Sequence, residues 1–182
     1  MNDVITERLR LVALLAAAAF TADWASKAWA LDTLHQPVML GALLLDIERN
    51  AVFALSTGRD VAPLALVIGL RLAALLAVVL VARRAAAHGL RYAAGIGLIL
   101  GGGLGNAADL LFRDGGVVDF IGAGPWRFEL GDALYRFHVV FNGADLALLI
   151  GLALLAPLIR DWALTAQQRL ARWERRWLLG DA

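Results

Sequence analysis

The chain has 182 residues, of which 60% are hydrophobic, and a formal net charge of +1 at pH 7. Soluble domains are typically about 45–50% apolar, so the composition indicates a membrane protein. The small net charge offers no basic surface to nucleic acid. The sequence contains no cysteine, which excludes disulfides and thiol nucleophiles, and its three histidines form no zinc motif. No metal and no cofactor are therefore expected.

Four stretches are long and apolar enough to cross a bilayer, which takes about 20 residues for each helix. They cover about residues 11–31, 62–82, 92–112 and 139–159. The sequence therefore predicts an all-α integral membrane protein, a four-transmembrane-helix bundle that forms a single domain over residues 1–182.

Two extracytoplasmic loops are predicted between these spans, at about residues 32–61 and 113–138. The second loop runs into the stretch RFELGDALYRFHVV, whose alternating apolar residues and glycine are typical of short strands. A small β-like element at the membrane surface is therefore expected.

The basic residues are divided unequally between the two sides of the predicted bundle. Lys27 and Arg71 lie within spans, ten arginines lie on the side of the two termini and five on the other, which makes 17 in all. The arginine-rich side should be cytoplasmic, so both termini are expected there. The ten are Arg8, Arg10, Arg83, Arg84, Arg91, Arg160, Arg169, Arg172, Arg175 and Arg176, and the five are Arg49, Arg59, Arg113, Arg127 and Arg136.

The tail at about residues 161–179 shows a different pattern. Its apolar residues recur at helical spacing with arginines on the opposite face, which predicts an amphipathic helix in the inner membrane interface. Anchoring of the bundle is the simpler role for this helix, and a binding role is the alternative. The apolar positions are Trp162, Ala166, Leu170, Trp173 and Trp177.

Polar residues of three spans fall at a similar predicted depth. At 1.5 Å per residue, Asp23 of the first span and Asp145 of the fourth lie about 10 Å below the outer edge. Asn106 and Asp109 approach the same level in the third span, and Lys27, one turn above Asp23, could extend outward. Ionisable groups are costly at such depths, which favours a functional role over chance.

The direction of these side chains is also predictable. Gly97, Gly101, Gly105 and Asp109 are spaced by four, a small-residue stripe that lets helices approach closely and turns Asp109 into the bundle. For Asp23, Lys27 and Asp109, a structural ion pair remains an alternative to a functional role.

Asp119 follows the third span and Asp145 opens the fourth, so the outer loop can bring the two carboxylates together. Two facing carboxylates share a proton, and such a pair can activate a water held between them, as in aspartic proteases. Ser26 and Ser56 have no evident histidine partner, so a serine mechanism is less favoured.

Four segments resemble the lipoprotein signal peptidase (signal peptidase II) family. GNAADLLFRDGGVVDFI is similar to the family's GNxxDR…VVDF block and FNGAD to its FNxAD block. DWASK in the first span matches DxxxK, and ERNAVFALS is similar to RNxGxAFS. The four blocks occur in the family's order across about residues 23–150.

The resemblance implies an inner-membrane aspartyl protease that removes signal peptides before a diacylglyceryl-modified cysteine of prolipoproteins. It implies a catalytic dyad of Asp119 and Asp145. The site is expected near the periplasmic face, with membrane lipid as a partner, and the protein is expected to be a monomer. Residues matching the family's supporting polar positions are Asn50, Asn106, Asp109 and Asn142, with Asp23 and Lys27 as the pair of the first span.

The chain departs from the family's pattern at several positions. Leu110 replaces an arginine, Val52 a glycine and Leu146 a serine. Arg113, one turn beyond Asp109, or the mid-span Arg71 is predicted to supply the missing guanidinium. The segment Ala54–Leu55 also differs from the family's AF.

Two other functions remain open at this point. A non-catalytic or specialised relative could bind lipoproteins or lipid, which a cleavage assay would distinguish. A small transporter or proton relay would need a polar path across the membrane, and the inner half of the spans is almost uniformly apolar apart from Arg71.

Overall fold

The computed structural model describes residues 2–50, 64–114, 116–130 and 133–179. Within these ranges the chain forms a helical bundle with an antiparallel sheet attached to one end. The helices are α1 Asn2–Thr33, α2 Leu64–His88, α3 Leu90–Phe112 and α4 Gly143–Leu179. The strands are β1 Val38–Leu40, β2 Leu43–Asn50, β3 Val117–Leu130 and β4 Ala133–Phe141. A mostly helical protein with a small β element, as the sequence predicts, is confirmed.

Helix α3 lies at the centre of the bundle and packs against α1, α2 and α4. Its glycines allow the close approach. A Cβ atom at Gly101 would lie 2.5 Å from the backbone oxygen of Ala16 in α1, and one at Gly102 would lie 2.5 Å from that of Ala144 in α4. The predicted glycine stripe therefore faces α1, and a second glycine face contacts α4.

Three helices of the described chain are long and apolar enough to cross a membrane. They are Leu66–His88 within α2, Leu90–Phe112 as α3 and Gly143–Arg175 within α4. These segments correspond to the second, third and fourth predicted spans. Helix α1, with 32 residues, carries buried Asp23 and Lys27 and is not among the three.

Helix α4 differs from the prediction at both of its ends. It begins at Gly143 rather than at residue 139, because β4 continues through Phe141. It then runs for 37 residues with Pro157 inside, so the fourth predicted span and the tail at about residues 161–179 belong to one continuous helix. At 1.5 Å per residue α4 is about 55 Å long, well beyond the roughly 30 Å hydrocarbon core.

The sheet replaces much of the two predicted loops. Its strand order is β1-β2-β3-β4, and all neighbouring strands are antiparallel. The register places Glu48 of β2 opposite Asp119 of β3, and Ile121 of β3 opposite Phe141 of β4. Residues 51–63, which include Val52, Ser56, Arg59 and the segment 54–55, lie outside the described residues.

The apolar core lies toward the other end of the bundle. A buried cluster there joins Val12 of α1, Ala86 of α2, Ile96 of α3 and Leu155 of α4. A smaller cluster joins α2 to the start of β3, and it contains Leu110. The two clusters fix the helices on either side of the polar residues described next.

Candidate active site

The ends of β3 and β4 bring Asp119 next to Asn142. Asp119 lies two residues before Ile121, the partner of Phe141, and Asn142 follows Phe141 directly. Val118 and Phe120, which flank Asp119 in β3, are both buried. The Asp119 side chain is only 6% exposed, so the strand holds this carboxylate between the sheet and the helices.

Asn142 joins three parts of the site through one side chain. Its Nδ2 lies 2.6 Å from Oδ1 of Asp119, 3.1 Å from Oδ1 of Asn106 and 3.3 Å from the backbone oxygen of Val118. Asn142 is fully buried. Because a buried amide without partners is costly, its rotamer is fixed by these bonds.

Asp145 lies on the other side of Asn142, in the first turn of α4. Its Oδ1 accepts a hydrogen bond from Nδ2 of Asn106 at 3.0 Å, and its Oδ2 accepts one from the backbone N–H of Asn142 at 3.1 Å. The backbone N–H of Asp145 in turn donates to Oδ1 of Asn142. The depth predicted for Asp145 depended on a helix from residue 139, whereas α4 begins only at Gly143.

The environment changes the acidity of Asp119. Burial, followed by the negative charge of Asp145, raises the pKa of Asp119 from 3.8 to about 6. The hydrogen bond from Asn142, the charge of Lys27 and the hydrogen bond from Asn50 oppose this rise in the pKa of Asp119. Asp119 and Asp145 are therefore close enough to interact electrostatically, and Asp119 holds a proton more tightly than an ordinary aspartate.

A buried ion network supports the site from below. The Nζ of Lys27 lies 2.7 Å from Oδ2 of Asp23, 2.8 Å from Oδ2 of Asp109 and 2.9 Å from Oδ1 of Asn106. Lys27 is fully buried, so the expectation that it extends outward is wrong. Its ammonium instead finds three oxygen partners inside the bundle, which offsets the cost of burying the charge.

The two acids of this network also hold backbone groups next to the dyad. Oδ1 of Asp23 accepts a hydrogen bond from the N–H of Ala144 at 2.8 Å, at the beginning of α4. Oδ2 of Asp109 accepts one from the N–H of Val118 at 3.1 Å, in β3. Each bonded N–H therefore belongs to the residue directly before Asp145 or Asp119.

The two candidate guanidinium groups occupy different places. Arg113 bonds to Oδ1 of Asp109 at 2.9 Å, and its guanidinium lies 4.0 Å from the ring centre of Trp24. Arg71 of α2 lies 3.5 Å from the backbone oxygen of Asn106 and lines a cavity together with Asp145. Arg113 thus belongs to the buried ion network, whereas Arg71 faces the space beside the dyad.

This cavity has a volume of about 310 Å³ and lies between α2, α3 and α4. Arg71, Asn106 and Asp145 contribute the polar part of its lining. The rest of the lining is apolar and comprises Ala74, Leu75, Val78, Ile99, Gly103 and Leu148. The cavity therefore offers a charged or polar group a place beside Asp145 and an apolar chain a place along the helices.

All nine residues predicted for the site fall into one connected region. The dyad candidates Asp119 and Asp145 are linked through the asparagines, and Asn50 contacts Asp119. In the described ranges, no group of three or more His, Cys, Asp or Glu side chains could hold a metal ion. The predicted residues are Asp23, Lys27, Asn50, Asn106, Asp109, Arg113, Asp119, Asn142 and Asp145.

Trp24 and the N–H of Ala144 were not predicted. An aromatic ring beneath Arg113 and a backbone donor to Asp23 depend on tertiary contacts that leave no sequence signal. Arg71 has a detectable signal, since it is a lone arginine within an apolar span.

Structural comparison first defines the class of protein. The fold matches a bacterial membrane enzyme solved at 1.9 Å with a TM-score of 0.66 and 24% identity, covering 81% of this chain and 91% of that one. A bacterial membrane enzyme solved at 2.3 Å matches with a TM-score of 0.65 and 25% identity, covering 82% and 88%. The architecture is therefore that of bacterial membrane enzymes.

Sequence comparison identifies the family. The profile described as "Signal peptidase (SPase) II" matches residues 15–159. A lipoprotein signal peptidase of Nitrobacter hamburgensis is 37% identical over 153 residues, covering 79% of this chain and 87% of the relative. One of Rhodopseudomonas palustris is 46% identical over 61 residues, 34% of either protein. The chain belongs to the signal peptidase II family, whose members are aspartic endopeptidases of lipoprotein processing in bacterial membranes.

Proposed function

We propose that Asp119 and Asp145 form the catalytic dyad of an intramembrane endopeptidase that cuts prolipoproteins before a diacylglyceryl-modified cysteine. The observation that carries this proposal is the arrangement around Asn142, which bonds to both aspartates. Two carboxylates joined in this way can hold one water between them, and the pair needs no metal or cofactor to activate it.

The surroundings of the two carboxylates suggest different roles. Asp119 has a raised pKa of about 6 and is the member that retains the shared proton. Asp145 accepts two N–H donors and lies at the positive end of α4, which stabilises negative charge. Asp145 is therefore the general base and Asp119 the general acid.

The reaction then follows the pattern of an aspartic protease. Asp145 takes a proton from the water as its oxygen attacks the scissile carbonyl carbon, and Asp119 donates its proton to the carbonyl oxygen. Collapse of the tetrahedral intermediate breaks the peptide C–N bond, and the amine leaves with a proton returned by the dyad. The buried positions of Asn106 and Asn142 keep both carboxylates oriented during these steps.

The lining of the cavity beside Asp145 supports the proposal that the substrate is lipid-modified. Its apolar lining can take an acyl chain along the helices, while Arg71 can donate to an ester or peptide carbonyl near the scissile bond. Leu110, at the position of the family's arginine, packs with Val67, one turn before Arg71 in α2. We therefore assign the missing guanidinium to Arg71 rather than to Arg113.

In this proposal the whole chain lies in the inner membrane as one domain. Helix α1 is the first of the four spans, since it packs along α3 and its charged residues Asp23 and Lys27 point into the bundle. Both termini are then cytoplasmic and the sheet lies at the periplasmic face, with the dyad just below it. The proposal includes a monomeric enzyme. The last part of α4 would extend through the inner interface.

The direct test is cleavage of a diacylglyceryl-modified prolipoprotein by purified protein. Asp119→Asn and Asp145→Asn should each lower kcat/KM by at least about 10³-fold, because each removes a proton-transfer group that acts only in the transition state. Asp114→Asn, in the exposed turn before β3, is the matched control and should cleave normally. Normal cleavage by either dyad variant would refute the mechanism, and a wild-type protein that binds the precursor without cutting it would favour the non-catalytic alternative.

A further inference from the structure

Another cavity lies at the other end of the bundle from the dyad. It has a volume of about 490 Å³ and lies between the last turns of α2 and the part of α4 beyond Pro157. Its lining residues are Val81, Arg84, Ala87 and His88 of α2, and Trp162, Thr165, Ala166 and Arg169 of α4. The proteolytic reaction uses none of these residues.

The chemistry of this lining suits a phosphate group. Arg84 and Arg169 come from opposite walls, and His88 is a third basic side chain. None of the described lining residues is acidic. Asp161, the nearest acid in the sequence of α4, lies outside the lining, and its backbone oxygen accepts the Thr165 hydroxyl.

The C-terminal end of a helix normally disfavours an anion, because its last carbonyl groups are unpaired. In α2 this effect is reduced by Arg8 of α1. The Nη1 of Arg8 lies 2.9 Å from the backbone oxygen of Ala86 and 3.0 Å from that of Ala87. The end of α2 therefore carries an added positive charge beside the cavity.

Aromatic contacts and the apolar surface of α2 place the cavity at a lipid boundary. The ring of His88 contacts Trp162 edge-on at 6.2 Å, and tryptophan favours the level of the headgroups. Leu76 and Leu80, two turns and one turn before Arg84 in α2, are 59% and 70% exposed. A molecule with its phosphate in the cavity could thus lay acyl chains along α2.

We propose that this cavity, defined by Arg84, His88, Trp162 and Arg169, binds the headgroup of an anionic phospholipid such as phosphatidylglycerol. A free phosphate would gain the same ionic contacts without the apolar contacts along α2. A phosphatidylcholine headgroup would bring its trimethylammonium group toward the arginines, which repel it. The site would hold the cytoplasmic end of α4 against α2 through a lipid.

The experiment measures binding of a fluorescent phosphatidylglycerol to the full-length protein in neutral detergent. The double variant R84Q/R169Q should raise the apparent Kd by about fivefold for each arginine removed, or about 25-fold in total. The control R83Q/R172Q removes the same charge from neighbouring positions of α2 and α4 that are not among the described lining residues, and its Kd should change by less than about twofold.

Two further arms keep the test decisive. Ala166→Trp fills the cavity without changing the charge, and it should also weaken phosphatidylglycerol binding. This variant tests the proposal independently of whether the arginine variants fold. Unlabelled phosphatidylglycerol should compete, whereas millimolar inorganic phosphate and phosphatidylcholine should not. Equal losses in the control pair, unaltered binding in Ala166→Trp, or competition by inorganic phosphate as strong as by phosphatidylglycerol would each overturn the proposal.

Discussion

Asn142 connects both aspartates of the site to helix α3. It bonds to Asp119 through its amide and to Asp145 through its backbone, and it contacts Asn106 of α3. Asn142 and Asp145 are three residues apart in FNGAD, a spacing that would place both on one face of a helix. The structure shows a different reason for their proximity, since Asn142 precedes α4 and caps the backbone N–H of Asp145.

The raised pKa of Asp119 gives a testable dependence of stability on pH. The folded protein binds the Asp119 proton more tightly than the unfolded chain, so this group lowers the free energy of unfolding as pH rises from about 4 to 6. Asp119→Asn should therefore stabilise the protein at pH 7.5 by up to about 3 kcal/mol, and the gain should vanish near pH 4.

Thermal unfolding in detergent at the two pH values measures this effect. Asp114→Asn should show no such difference, because Asp114 is exposed. An Asp119→Asn protein that is equally destabilised at both pH values would contradict the assignment of the shared proton to Asp119.

Replacement of Arg71 should affect catalysis, whereas replacement of Arg113 should affect stability. Arg71→Gln should lower kcat/KM by about tenfold to a hundredfold, the value of a charge-assisted hydrogen bond, with little change in melting temperature. Arg71→Lys should restore part of this loss. Arg113→Gln should lower the melting temperature, because buried Asp109 loses one of its two cationic partners.

Kinetics with a lipid-modified precursor and thermal melts of the same samples separate the two roles. Normal kcat/KM for Arg71→Gln, together with a catalytic loss and an unchanged melt for Arg113→Gln, would reverse the assignment.

At the level of elements, the sequence predicts the helices well and the sheet only in outline. Periodicity and apolar length locate α2 and α3 because these helices meet the membrane requirement on their own. Strands β2 and β3 pair across about 70 to 80 residues of chain, and no local pattern specifies such a register. The predicted start of α4 is wrong because the apolar residues at 139–141 belong to β4, which pairs with β3.

The close contact of α1 and α3 can be tested at Gly101. A methyl group there would lie 2.5 Å from the backbone oxygen of Ala16 and 2.7 Å from the Cβ of Ala19, so Gly101→Ala should force the helices apart. The expected cost is about 1–3 kcal/mol, with reduced cleavage because Asp23 and Lys27 shift with α1. The melting temperature measures the first effect and kcat/KM the second, and both should fall.

Gly69 of α2 is the matched control. No described heavy atom lies within 4 Å of a methyl group built there, and alanine favours the helix over glycine. Gly69→Ala should therefore be neutral or slightly stabilising. An unchanged melt for Gly101→Ala would show that the helices are not packed as closely as described.

At the level of the whole molecule, polar and apolar regions are separated along the bundle. Asp23, Lys27 and Asp109 form a buried network beneath the dyad, whereas the cluster that includes Val12 and Ile96 is entirely apolar. The sequence predicts this separation, because the polar residues of three spans lie at similar heights. It could not predict that Lys27 is buried, since only the complete bundle supplies three oxygen partners for its ammonium.

The central claim, that the two aspartates act as one unit, is tested most directly by a double-mutant cycle. The kcat/KM for a diacylglyceryl-modified prolipoprotein would be measured for wild type, Asp119→Asn, Asp145→Asn and the double variant. If both carboxylates act on the same water, removing the second one causes little further loss of activity once the first is gone. The double variant should therefore be no slower than the slower single variant. Independent losses that multiply in the double variant, or a single variant with normal turnover, would contradict the account.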